Sequence, residues 1–161
     1  MSTGPRVTLL ERTKIQAEVL VPIVKALESE LGTDHARRLV RDAIGDHIRE
    51  TAQTSWKPGS GRDAIEKLLH ISKAGDVQTH EPVDSTDDEL NVDVTRCGFA
   101  EFFHQLGEPE LGFLLVCSLD DDYVAGLDDV DMSRTQTIMQ GASHCDFRFR
   151  FDPEDAPGGQ T

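Results

Sequence analysis

From Leu9 to Leu31 apolar side chains return at Ala17, Leu20, Val24, Leu27 and Leu31, a three-then-four spacing that puts them on one face of a helix. Gly32 stops this pattern, and Pro22 inside it predicts a kink or the first turn of a second segment. Thr33 or Asp34 can cap a second helix, whose Ala36, Leu39, Val40, Ala43, Ile44 and Ile48 form another stripe ending near Trp56. Lys57-Pro-Gly-Ser-Gly61 then breaks the chain. A third, shorter helix is expected from about Asp63 to Gly75, with Ile65, Leu68 and Leu69 on its apolar side.

The period then changes. The segment from Asp76 to Asp88 is polar and acidic and reads as a loop with room for a short edge strand. Leu90, Val92 and Val94 alternate with polar neighbours as far as Arg96, which predicts a strand with one buried face. Cys97 opens a helix with Phe99, Phe102, Phe103 and Leu106 on one side and Gly107 as its stop. Pro109 suits the first turn of the next helix, Glu110 to about Asp122, which carries Leu111, Leu114 and Leu115. Met132 to Gln140 is expected as a strand. After the turn Gly141-Ala-Ser, Cys145, Phe147, Phe149 and Phe151 alternate with Asp146, Arg148 and Arg150, the clearest strand in the chain.

Together these elements predict an α+β fold. N-terminal helices pack with a small antiparallel sheet of three or four strands, and two helices are inserted between strands. The 161 residues are enough for one domain with a real core, ordered from about 9 to 151, with residues 1–8 and 152–161 as flexible tails.

Charge narrows the partners. The net charge is -14, and between Asp76 and Asp131 there are sixteen acidic residues against a single basic one, Arg96. Nucleic acid is therefore not an expected partner, because phosphate binding needs clustered Lys and Arg. The longest apolar runs, such as Leu111 to Cys117, are too short to cross a bilayer, so no membrane role is expected either. An anionic small molecule would need one of the few cations of the second half, Arg96, Arg134, Arg148 or Arg150.

Three cysteines, an odd number without short paired spacing and without an apolar leader before them, predict free thiols and a cytoplasmic location. No Gly-rich phosphate loop, Cys-x-x-Cys, His-Glu-x-x-His or Gly-x-Ser-x-Gly occurs, so any chemistry must use residues that the fold brings together. Alternation after Gly141 sends Cys145 inward and His144 and Asp146 to the opposite face, which breaks up the apparent His-Cys-Asp triplet. Taken alone, Cys145 reads as a small buried hydrophobe. Cys97 lies at a strand-to-helix junction, where unpaired N–H groups and the helix dipole favour a thiolate, with Glu101 one turn later. Three cysteines and a histidine could make a zinc site on paper, but spacings of 20 and 28 residues are not those of short-knuckle sites, and no metal or other cofactor is expected.

Residues 91–127, NVDVTRCGFAEFFHQLGEPELGFLLVCSLDDDYVAGL, and 134–149, RTQTIMQGASHCDFRF, resemble the L-2-amino-thiazoline-4-carboxylic acid hydrolase family. The resemblance implies a hydrolase acting on a carbon–nitrogen, non-peptide bond of a small cyclic amidine, opening a thiazoline ring to a carbamoyl-cysteine. It implies Cys97 or Cys145 as the nucleophile, attacking directly or beside an activated water, with Cys117 adjacent. Glu101 or Asp121 would act as the base or orient the amidine nitrogens, and Arg134 would hold the substrate carboxylate. Thr135 also falls on a recurring family position, and His144 is a weaker match ranked below the cysteines. More distantly the chain resembles vinyl-reductase-type, TRAPP-like ligand-binding domains, which implies that Cys117 and Cys145 converge. That second likeness keeps open a non-catalytic small-molecule, metal or redox sensor as the alternative function. The expected partner is a small-molecule substrate, and self-association into a homo-oligomer is left open.

Overall fold

The computed structural model describes residues 7–151; the remaining parts of the expected tails, 1–6 and 152–161, lie outside the described residues. Thr8, expected in the N-terminal tail, instead caps α1 (Leu9–Leu31). Its hydroxyl accepts the Glu11 N–H at 3.1 Å, and the Glu11 carboxylate accepts the Thr8 N–H at 2.7 Å, a reciprocal capping box. The helix continues through Pro22, and Gly32, at φ 81°, separates it from α2 (Thr33–Ser55). The third helix, α3 (Gly61–Lys73), begins where the Asp129 carboxylate accepts the Gly61 N–H at 3.0 Å.

The sheet has four antiparallel strands in the order β1-β2-β4-β3: β1 (Gln78–Pro82), β2 (Glu89–Cys97), β3 (Val130–Ser133) and β4 (Cys145–Phe151). The acidic segment after Gly75 does contain an edge strand, β1. Between β2 and β3 stand α4 (Gly98–Leu106), α5 (Pro109–Gly112), a π-helical turn (Phe113–Cys117) and α6 (Leu119–Ala125). The helix expected over 110–122 is thus interrupted by one wide turn, marked by the Ser118 N–H donating to the Phe113 carbonyl at 2.8 Å.

The strand expected over 132–140 is shorter and starts earlier. After Ser133 the backbone leaves the ladder because side chains take its donors: the Asp146 carboxylate accepts the N–H groups of Thr135 and Gln136, each at 2.9 Å. Thr137 then caps a 3₁₀ turn, Ile138–Gln140, by accepting the Gln140 N–H at 3.2 Å. Local polar side chains outcompete the sheet here.

Two apolar clusters form the core. One gathers Val94, Phe103, Leu111, Met139 and the three cysteines; the other holds Ile65, Val130, Phe149 and Phe151. Close approaches without side chains set their geometry. Asp122 of α6, 6% exposed, accepts Arg49 Nη2 at 2.8 Å and rests on Gly45 of α2, where a Cβ would stand 2.6 Å from Oδ2. At Gly112 a Cβ would stand 2.6 Å from both Met139 Sδ and Phe103 Cγ.

Alanine in place of a helical glycine ordinarily stabilises by about 0.5–1 kcal/mol. Gly112→Ala should do the opposite, destabilising by ~1–3 kcal/mol through overpacking against Phe103 and Met139. Urea unfolding checks this; an unchanged or raised midpoint would show that the contact yields freely.

Candidate functional site

The cavity begins with a register change in β2. Thr79 pairs with Arg96 and His80 with Val94, so Thr95 is an extra residue on the β2 side, a bulge. Strict alternation from Val92 and Val94 would turn Arg96 inward and Cys97 outward. The bulge reverses this, and Cys97 is 6% exposed at the N-cap of α4. Cys145 starts β4 opposite Val94 and is buried with Phe149 and Phe151, as the alternation requires. Cys117 closes the π-helical turn.

All three thiols are free and line one cavity of about 310 Å³, bordered by the sheet, α1, α2, α3, α4, the π-helical turn and α6. Leu20, Leu69, Phe103, Leu115 and Met139 are among its apolar wall residues. The cavity also contains one ion pair. Arg134, with 6% of its side chain exposed, donates from Nη1 to Asp120 Oδ2 at 2.6 Å and from Nη2 to the Cys117 carbonyl at 2.9 Å. Its guanidinium lies 5.1 Å from the centre of the Phe147 ring. Asp120 and Phe147 also line the cavity.

Burial pushes the Asp120 carboxyl up to about 6, opposed by the Arg134 charge and hydrogen bond, although a third of the side chain remains open. Burial and the nearby Asp120 push the Cys117 thiol well above its ordinary range, against a partial opposing effect of Arg134. Cys145 is also raised by burial, but the Ile138 N–H at 3.3 Å from its sulfur works the other way. The thiols and the Arg134–Asp120 pair are close enough to act on one another electrostatically.

Cys97, Cys117, Cys145 and Arg134 therefore meet, whereas the other candidate site residues, Glu101, Asp121, Thr135 and His144, do not line the cavity. Glu101 is exposed and accepts Arg96 Nε at 2.9 Å. Asp121 is exposed, 3.7 Å from Arg134 Nη2. Thr135 donates its hydroxyl to Asp146 at 2.6 Å and so holds a turn. His144 lies with Gln136, whose Nε2 is 2.8 Å from the ring, and 3.8 Å from Asp93. For Glu101 the reason is helical phase: Phe99 and Phe103 occupy the inward face of α4.

Asp120 was missed among the three consecutive aspartates, although its offset of three residues from Cys117 is a helical-face signal. Gln78, Ser72 and Tyr123, which also line the cavity, carry no local signal. Among the described residues no group of three or more His, Cys, Asp or Glu side chains is arranged to hold a metal ion, and no helix is long and apolar enough to cross a membrane.

Among solved structures, the chain is similar to a trafficking protein particle complex subunit 3 from Naegleria fowleri, which is covalently bound to palmitic acid. The identity is 12%, the match covers 86% of this chain and 96% of that one, and the TM-score is 0.44. No curated protein sequence matches. The family model for L-2-amino-thiazoline-4-carboxylic acid hydrolase matches residues 12–149, taking in all three cysteines, Asp120 and Arg134. The chain belongs to the L-2-amino-thiazoline-4-carboxylic acid hydrolase family.

Proposed function

We propose that the protein hydrolyses a small cyclic amidine of the 2-aminothiazoline-4-carboxylate type to a carbamoyl-cysteine. The observation that carries this reading is the convergence of three thiols and the Arg134–Asp120 pair on one cavity. A substrate with an amidine at one end and a carboxylate at the other matches that pair charge for charge. Arg134 has N–H donors beyond the two used on Asp120 and the Cys117 carbonyl, so it can take the substrate carboxylate while Asp120 takes an amidine N–H.

Cys145 is the nucleophile in this scheme, because a backbone N–H already points at its sulfur. The Cys145 proton passes to Asp120 as the sulfur bonds to the ring carbon that lies between sulfur and two nitrogens. Collapse of the tetrahedral centre breaks the bond from that carbon to the ring sulfur, which leaves as a thiol with the proton from Asp120. Water then adds to the enzyme-bound amidine carbon, again losing a proton to Asp120. Release of the Cys145 thiol leaves a carbamoyl group, so the sum is substrate plus one water. Cys117, whose thiol is held protonated by burial, shapes the wall without attacking.

The mostly apolar lining favours a second reading, a binding domain that holds a small molecule without turnover. Incubation of purified protein with 2-aminothiazoline-4-carboxylate separates the two: the hydrolase forms one new titratable thiol per ring opened, and a binder raises the melting temperature without forming it.

Cys145→Ser should lower kcat for thiol formation by about 10²-fold or more, and Cys117→Ser should leave it within a few-fold. Full activity in the Cys145 variant would remove the thiol mechanism. Because Asp120 must be ionised to accept a proton, kcat/KM should fall about tenfold per pH unit below about pH 6, as the carboxyl is protonated. A profile flat down to pH 4.5 would dismiss Asp120 as the base.

A further inference from the structure

The cavity has a second polar end that the reaction above does not use. Gln78 of β1 faces Cys97 across the strand pair, and its Nε2 lies 3.7 Å from the Cys97 sulfur. Its Oε1 is 3.0 Å from His80 Nε2, which is also 3.2 Å from the Ser72 oxygen. Ser72 donates its own hydroxyl hydrogen to the Leu69 carbonyl at 3.0 Å, so its oxygen accepts from His80. Both neighbours of His80 Nε2 are then acceptors, and that nitrogen carries the ring proton, shared between them.

This fixes the amide. With its oxygen held by His80, Gln78 turns its NH₂ toward Cys97 and the cavity, and one of the two N–H donors has no partner among the described residues. Burial, with Lys73 nearby, pushes His80 down to about 4, so the ring is neutral and the arrangement holds across neutral pH.

Topology separates this donor from Arg134. β1 and β3 are the outermost strands of the sheet, and Phe147, under the Arg134 guanidinium, pairs with Val92 while Gln78 pairs with Cys97 farther along β2. At ~4.8 Å between strands and ~3.3 Å per residue along them, the backbone positions of Gln78 and Phe147 are on the order of 15–20 Å apart. A single ring with one carboxylate, held at Arg134, does not reach Gln78.

We propose that Gln78, positioned by His80 and Ser72, is a second recognition point, and that the cavity takes amidine carboxylates extended by an apolar spacer ending in an uncharged hydrogen-bond acceptor. This rests on the reading of the reaction above and names its substrate class. The anionic end lies at Arg134, the spacer along the apolar wall, and the terminal acceptor receives the Gln78 N–H. His80 acts through Gln78 and is a positioning residue.

Two probes decide it: 2-aminothiazoline-4-carboxylate carrying, on its exocyclic nitrogen, an extended alkyl chain with a ketone near its far end, and the same compound with a methylene in place of the ketone carbonyl. Calorimetric Kd values are measured in a Cys145→Ser background, so that nothing turns over. The ketone should bind about tenfold more tightly than the alkyl probe. Gln78→Leu should bring the ratio to about one, Gln78→Glu should invert it, and His80→Phe should lower it. Equal binding of the two probes to protein with Gln78 intact, or a preference that survives Gln78→Leu and Gln78→Glu, overturns the proposal. Thiol release from the unsubstituted thiazoline by the protein with Cys145 intact is assayed in parallel. Its absence would overturn the reading of the reaction, while the probe ratio still decides the role of Gln78.

Discussion

A guanidinium almost wholly removed from water, as Arg134 is, must have its charge balanced and its hydrogen bonds met inside the protein. Much of the local architecture follows from that requirement. Asp120 supplies the balancing charge, the Cys117 carbonyl accepts a second donor, and the Phe147 ring covers the planar face. The wide turn through Phe113–Cys117 sets the phase in which α6 presents Asp120. α6 is in turn pinned to α2, where Asp122 rests on Gly45 and receives Arg49. An ion pair inside an apolar wall is stable only because elements on three sides hold it.

The same burial suppresses the Cys117 and Cys145 thiols. Desolvation raises Cys117 and Cys145, and the Asp120 charge acts in the same direction. A ligand that engages Asp120 and Arg134 therefore changes the electrostatic surroundings of the sulfurs as it binds. Reactivity of these two thiols depends on the occupant, and stray oxidation or alkylation of Cys117 and Cys145 is disfavoured.

The helices and the two central strands were legible because their apolar periods are long and regular. Cys145 could be turned inward from Phe147, Phe149 and Phe151 alone. Cys97 could be placed at the helix start but not oriented, because the bulge at Thr95 leaves no mark in the pattern of polar and apolar residues. The strand expected through Gln140 failed where Asp146 and Thr137 capture backbone donors, a competition visible only once Asp146 is placed beside Thr135. Arg134 stood out because cations are scarce in the second half, but its partner was hidden in a run of three aspartates. Glu101 followed from helical spacing and was displaced by the phenylalanines that occupy the inward face. The Ser72–His80–Gln78 arrangement depends on α3, β1 and β2 together, and no local window contains it.

The bulge in β2 divides that strand into two independent frames. Residues before Thr95 are phased by the core and those after it by the cavity, so the side chain presented at the mouth of α4 is decided by whether Thr95 is bulged or paired. Pairing Thr95 into the ladder would carry Arg96 into the position now held by the Cys97 sulfur, exchanging a neutral thiol for a permanent cation, whereas loss of Thr95 would restore plain alternation and keep Cys97 inward. Within a set of related chains, an alignment gap at Thr95 would thus remove the bulge and leave the cavity chemistry as it is.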